Sequence, residues 1–244
     1  MGHDDSGSSK ERGRLVSHAE ADHAVDAALT TALAMFASRG FEATTLEDVV
    51  KDSGVPKRAL TAAFGDKRGL YEHALRRAVA CISPSDDVLN RSYAVPVEGM
   101  RTFVDAMFHT FMENPDCVRL ILRENVDGIV DIEEMTAGSG DNDVALHVER
   151  LLLLGQDAGA FRPGIGAEDV LVLIVALCEF VVAHSATIYA ISRVDFSEDR
   201  NVDGMRRMVI DSVLAFLTSN IAPSGHDSYL VSPEAESLGD AEIY

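Results

Sequence analysis

From Val25 to Leu217 apolar side chains recur at intervals of three and four, and no stretch alternates convincingly with period two. A chain patterned this way buries its apolar surface as packed helices, because strand side chains would alternate between faces. The expected fold class is all-α, with about nine helices. In the first of them Val25, Ala28, Leu29, Ala32, Leu33 and Phe36 fall on one face, and Arg39-Gly40 ends it with glycine in its usual place. A second opens at TTLED, where Thr44 with Glu47 makes a capping box and Thr45 with Asp48 could make one a residue later. Gly54 stops it. Pro56 suits the first position of a third helix, since its missing N–H is not needed there. Gly65 breaks that helix near Phe64, Asp66 is a good N-cap, and a fourth carries Leu70, Tyr71, Ala74, Leu75 and Val79.

Five longer helices are expected beyond the loop CISPSDDVLNRSYAVP. Val97, Met100, Phe103, Val104, Met107, Phe108, Phe111 and Met112 form one stripe, and Val118, Ile121, Leu122, Val126 and Ile129 form the next. Another runs over about 142–158, and Met205, Met208, Val209, Val213, Phe216 and Leu217 mark the last. Between these lies 168–191, whose core VLVLIVALCEFVVA passes nine residues without a polar side chain before Glu179. That run is short of the roughly 20 residues of a membrane span, so it reads as a helix covered on most sides. Residues 1–17 and 222–244 are polar and aperiodic, which reads as a disordered arm and a disordered acidic tail. The arm has no apolar stretch of the kind a signal peptide needs. Three widely spaced cysteines form neither a disulfide framework nor a metal spacing, so a reducing cytoplasm, no metal and no cofactor are expected.

The formal net charge of −19 argues at first against nucleic acid, but its distribution argues otherwise. Residues 10–80 carry 11 Lys+Arg against 10 Asp+Glu, whereas the rest of the chain carries 10 against 30. A locally balanced segment in a strongly anionic chain suggests two jobs. Within that segment the turn at Asp52–Val55 has the length of a helix-turn-helix, a unit that lays its second helix in the major groove. Lys57 and Arg58 sit in the first turn of that second helix. Lys67 stands beside the N-terminus of the fourth helix, where free amides and a lysine together suit a phosphate.

The block ALTTALAMFASRGFEATTLEDVVKDSGVPKRALTAAFGDKRGLYEHAL, residues 28–75, resembles the N-terminal DNA-binding domain of TetR/AcrR-type transcriptional regulators. The matching marks are Phe36-x-x-Arg39-Gly40-Phe41, Thr44-Thr45, Gly54-Val55, Leu60 and Phe64-x-x-Lys67-x-x-Leu70. The resemblance implies a helix-turn-helix domain over 18–66 and a helical effector-binding and dimerisation domain over 67–221, with 67–80 as the linking helix. It implies a cytoplasmic homodimer, without enzymatic activity or membrane attachment, that binds a palindromic double-stranded operator and is released by a small-molecule effector. By the family pattern Thr45 and Lys67 would touch phosphates, and Lys57, Arg58 and Thr61 would face the groove. One departure stands out. Where the family usually places an aromatic pair or a histidine after the helix-three leucine, this chain has Thr61-Ala62-Ala63. Small residues can touch thymine methyls but donate nothing to phosphate, so binding should lean on Lys57, Arg58 and Lys67.

In the larger domain Phe103, Met107, Phe111, Arg123, His147 and Glu179 are the candidate effector contacts. Glu179 is expected to reach Arg119, Arg123, His147, a ligand or a subunit seam, because an unpartnered buried carboxylate costs several kcal/mol. The apolar helix needs a cover, and a second copy is the simplest one. Val181, His184, Ile188, Val209, Val213 and Phe216 are the expected dimer contacts. Two other classes stay open: a helical binding protein without DNA affinity, and a helical-bundle enzyme. Glu20-x-x-His23 has the spacing of a di-iron helix but occurs once, and neither a Gly-rich phosphate loop nor a G-x-S-x-G elbow is present.

Overall fold

The computed structural model describes residues 6–136, 142–221 and 228–230. Among these every regular element is helical: α1 (Ser6–Arg39), α2 (Leu46–Ser53), α3 (Lys57–Phe64), α4 (Lys67–Cys81), α5 (Asp86–Leu89), α6 (Pro96–Glu113), α7 (Pro115–Asp127), α8 (Ile132–Thr136), α9 (Asn142–Asp157), α10 (Ala167–Ser192) and α11 (Asp199–Thr218). Nine of them are eight residues or longer. The other two, α5 and α8, are single turns without apolar periodicity, and the sequence pattern does not announce them. Helix α1 begins inside the stretch read as a disordered arm. Its first half lacks an apolar stripe, so periodicity could not find it, and residues 1–5 lie outside the described residues.

The chain forms two compact units: residues 1–80 with 119–135, and residues 81–118 with 136–244. This division departs from the sequence boundary at 66/67 on two counts. Helix α4 belongs with the N-terminal unit, and so does the second half of α7. The reason is chemical. Tyr71 of α4 packs edge-on against Phe36 and Phe41, with ring centroids 5.0 and 5.1 Å away. Its hydroxyl donates to Glu124 of α7 at 2.6 Å, while the other Glu124 oxygen accepts the Val130 N–H at 2.7 Å. Arg123 donates to the carbonyls of Ala37 at 2.8 Å and Ser38 at 2.9 Å, which satisfies backbone acceptors left over at the end of α1. Gly40 follows in the left-handed region (φ 84°) and a Cβ there would come within 3.2 Å of the Arg123 guanidinium. Val126, expected to face inward, is 85% exposed, and Ile129 lies past the end of α7. The buried residue of this turn is Glu124, 1% exposed.

In the second unit α6, α9, α10 and α11 pack around one core. Met100, Phe103, Val104, Phe108, Phe111, Val148, Val170, Ile174, Val209, Val213 and Leu217 are its buried residues, each large side chain contributing about 1.5–3 kcal/mol. Cys178 is buried among them, and burial pushes its thiol up to about 12. Part of the segment read as a disordered tail is tied down. The Tyr229 and Leu230 N–H groups donate to the buried Asp169 carboxylate at 3.0 and 2.7 Å, and Gly166 donates to it at 3.0 Å. Residues 222–227 and 231–244 lie outside the described residues.

Candidate functional site

The turn between α2 and α3 is built by residues that permit little else. Thr45 is the N-cap of α2: its hydroxyl accepts the Asp48 N–H at 3.2 Å, and Asp48 accepts the Thr45 N–H at 3.1 Å. Of the two capping boxes the sequence offered, this is the one formed. Thr44 is buried and its hydroxyl is spent on the Gly40 carbonyl at 2.9 Å. Gly54 ends α2 at φ 72°, a conformation side chains disfavour. Val55 is buried and Pro56 is the N-cap of α3, one position earlier than expected. Leu60 anchors α3 from its inner face. The outer face then presents Lys57, Arg58, Thr61, Ala62 and Ala63, all exposed.

The cations on this face differ in their readiness. Lys57 donates to Glu47 of α2 at 2.5 Å, and that hydrogen bond holds the Glu47 carboxyl below its ordinary range. Lys67 lies 4.2 Å above the Phe41 ring and donates to the Glu42 carbonyl at 3.4 Å, so its ammonium is held in place. Arg58 is exposed and makes no ion pair among the described residues. The sequence singled out these cations but not Glu47 as their local competitor, since the two lie ten positions apart on different helices. Replacing Glu47 with glutamine removes a negative charge from the exposed α2–α3 surface and frees Lys57. DNA affinity should rise by about threefold, the scale of one exposed ion pair. Fluorescence anisotropy at fixed salt measures it, and unchanged or weaker binding would refute a competing role for Glu47.

The expected effector contacts separate. Phe103, Met107 and Phe111 are buried on α6, and His147 of α9 is 1% exposed with its ring centroid 5.4 Å from that of Phe103. Arg123 is not among them, because it belongs to the N-terminal unit and caps α1. Glu179 is half-buried and makes no ion pair among the described residues; Arg123 serves α1, and His147 Nδ1 contacts the Leu89 carbonyl at 2.7 Å.

The expected dimer contacts also divide. Val181, Val209 and Val213 are 2%, 0% and 0% exposed and face the protomer's own core, so they are corrected to core residues. Phe216 is engaged within the protomer: Arg162 stacks on its ring at 4.7 Å and donates to its carbonyl at 2.8 Å. His184 is exposed, stacked on Phe180 at 4.6 Å, and Ile188 is half-buried. The outward stripe of α10 is Val172, Ala176, Phe180, Ala183, Thr187 and Ile191, spaced at helical intervals, with Met208 exposed on α11. The sequence located the helices but missed their phase, since α10 is apolar all round. Helix α10 is 26 residues long, and an 18-residue window of it has a mean hydropathy of 2.2, long and apolar enough to cross a membrane by length and composition. Only 17% of that window is buried, so the helix is not covered on most sides within the protomer, contrary to the expectation from the sequence pattern. Its inner face, Val170, Ile174, Cys178 and Val181, is nevertheless seated in the protein core.

Residues 28–74 match the family described as "Bacterial regulatory proteins, tetR family", and residues 96–213 match "Tetracyclin repressor-like, C-terminal domain". The HTH-type transcriptional repressor NicS of Pseudomonas putida is 24% identical over 185 residues, covering 73% of this chain and 85% of that protein. A TetR family transcription regulator from Marinobacter aquaeolei superposes with TM-score 0.61 at 17% identity, over 80% of this chain and 97% of that one. PfmR, a TetR family regulator from Thermus thermophilus, superposes with TM-score 0.59 at 19% identity, over 78% and 95%. With the helix-turn-helix and the helical body each matched by its own family description, this chain belongs to the TetR family of bacterial transcriptional regulators.

Proposed function

We propose that this regulator is a cytoplasmic homodimer that represses transcription from a palindromic operator and is released by a small apolar effector bound in its larger unit. The observation that carries the DNA-binding half is the exposed row Lys57, Arg58 and Thr61 on α3, in a segment of balanced charge within a chain of net charge −19. Thr45 and Lys67 flank it as phosphate contacts, and Ala62 and Ala63 leave room for thymine methyls. Two copies reading half-sites one helical turn apart would need their α3 helices about 34–36 Å apart. Repression is also what the name of the Pseudomonas relative supports. A mobility shift against the gene's own upstream region tests the reading. Binding should weaken steeply with salt, because each neutralised phosphate releases counterions. Failure to bind any genomic fragment would favour a ligand-binding protein without DNA affinity.

The dimer reading rests on the outward stripe of α10, an apolar face of a kind monomers seldom leave open. Glu179 lies at the edge of this stripe, on the subunit seam. In a two-fold assembly Phe180→Asp places an unpaired charge on both sides of the seam, each costing several kcal/mol. Sedimentation velocity at micromolar protein should show the wild type as a dimer and the variant as a folded monomer. A variant that stays dimeric would remove α10 from the interface.

A further inference from the structure

The larger unit contains two buried polar atoms without a hydrogen-bond partner among the described residues, His147 Nε2 and Tyr93 Oη. Buried polar atoms in folded proteins are nearly always paired. The two atoms belong to neighbouring rings, with centroids 6.5 Å apart, so one small polar group could serve both. Their surroundings define its chemistry. The Leu89 carbonyl lies 2.7 Å from His147 Nδ1 and accepts from the Arg150 guanidinium at 2.8 Å. Arg150 Nη2 also lies 3.0 Å from Nδ1, but the guanidinium already has the Leu89 carbonyl as its acceptor. A bare Nδ1 would face that oxygen lone pair to lone pair at 2.7 Å; the proton is therefore assigned to Nδ1, which leaves Nε2 as an acceptor. Burial holds the imidazole below its ordinary pKa against the opposing pull of the Leu89 carbonyl, and the Arg150 cation 3.0 Å away acts in the same direction as burial. The ring therefore stays neutral. Phe103 forms an apolar wall at 5.4 Å. Gly99 of α6 makes room for Tyr93, since a Cβ there would lie 2.9 Å from the Tyr93 ring and 2.7 Å from Leu151.

We propose that this niche selects the effector by one hydroxyl or N–H group on an otherwise apolar, uncharged body, donated to His147 Nε2 and shared with Tyr93 Oη. The inference rests on the effector reading above and gives that effector a chemical class. A carboxylate would set its lone pairs against Nε2. A plain hydrocarbon would leave both polar atoms unpaired, which a site built to bond a hydroxyl rejects strongly.

Calorimetry on the full chain with phenol, toluene and benzoate as probes tests the proposal. Phenol should bind at least about tenfold more tightly than either of the others. Tyr93→Phe, which keeps the ring and its packing, should narrow the phenol–toluene ratio, and His147→Phe should erase it. Phenol binding no tighter than toluene, or a ratio unchanged in Tyr93→Phe, overturns the proposal; so does an experimental structure in which only water bridges the two atoms in the presence of phenol. Operator binding measured in parallel separates the two readings. Phenol that binds the niche without altering operator affinity refutes its role as effector and leaves the niche standing. Release by a donor-free compound, independent of His147, does the reverse.

Discussion

Replacing Arg58 with alanine weakens operator binding by about 10- to 100-fold while the melting temperature stays within about a degree of the wild type. The size of the effect follows from what surrounds this side chain. Arg58 stands in the first turn of α3, exposed, with no ion pair among the described residues to surrender before it meets DNA. Its planar fork can bond two acceptors of a guanine edge or a phosphate at once. Lys57 must first leave Glu47, and Lys67 is already held over Phe41. The row has no aromatic or histidine to share the load, since Thr61, Ala62 and Ala63 complete it. Lys57→Ala should therefore cost less than Arg58→Ala. Lys67→Ala should weaken all sequences alike and lower the salt slope by about one. A salt titration of operator and mismatched duplexes measures each quantity. An Arg58→Ala protein that binds as the wild type does would remove α3 from the interface.

The second large effect concerns stability. Glu124→Ala leaves the Tyr71 hydroxyl and the Val130 N–H without their acceptor inside the N-terminal unit. The Tyr71 hydroxyl is buried and the Val130 N–H half-buried. A stranded group of this kind costs about 1–3 kcal/mol, and a loss of about 3 kcal/mol should lower the melting temperature by about 6–12 °C. Glu124→Gln retains an oxygen for one donor and should fall between the two. Tyr71→Phe with Glu124→Ala should cost less than the two separate losses combined, because the partners disappear together. Thermal unfolding followed by circular dichroism reads the wild type and the four variants, the single Tyr71→Phe among them. An unaltered midpoint in Glu124→Ala would show that this pair contributes nothing.

How much of this was legible depended on whether the signal was local. Helix α3 could be placed from Gly54, Pro56 and Gly65 alone, since each restricts the backbone at its own position. The outward face of α3 came from the family resemblance, which gives Lys57, Arg58 and Thr61 to the groove, and the buried Leu60 agrees with it. The buried Glu124 could not be found so, because its partners lie 53 positions back and six ahead. Periodicity instead assigned the inward position to Val126, which is apolar but points outward. The same limit hid the α10 stripe: where nearly every residue is apolar, periodicity carries no phase, and only packing against α6, α9 and α11 decides which valines are core. His147 was singled out by its type. Its partner Tyr93 lies in a loop where no pattern exists to read.

The Arg123 clamp on α1 bears on how such regulators can be recombined. A graft that transplants residues 1–80 alone into another scaffold would leave behind the guanidinium that closes α1 and the carboxylate that receives Tyr71. A working chimera has to carry residues 119–135 along as a second, discontinuous insert, so the exchangeable module in this protein is a pair of segments.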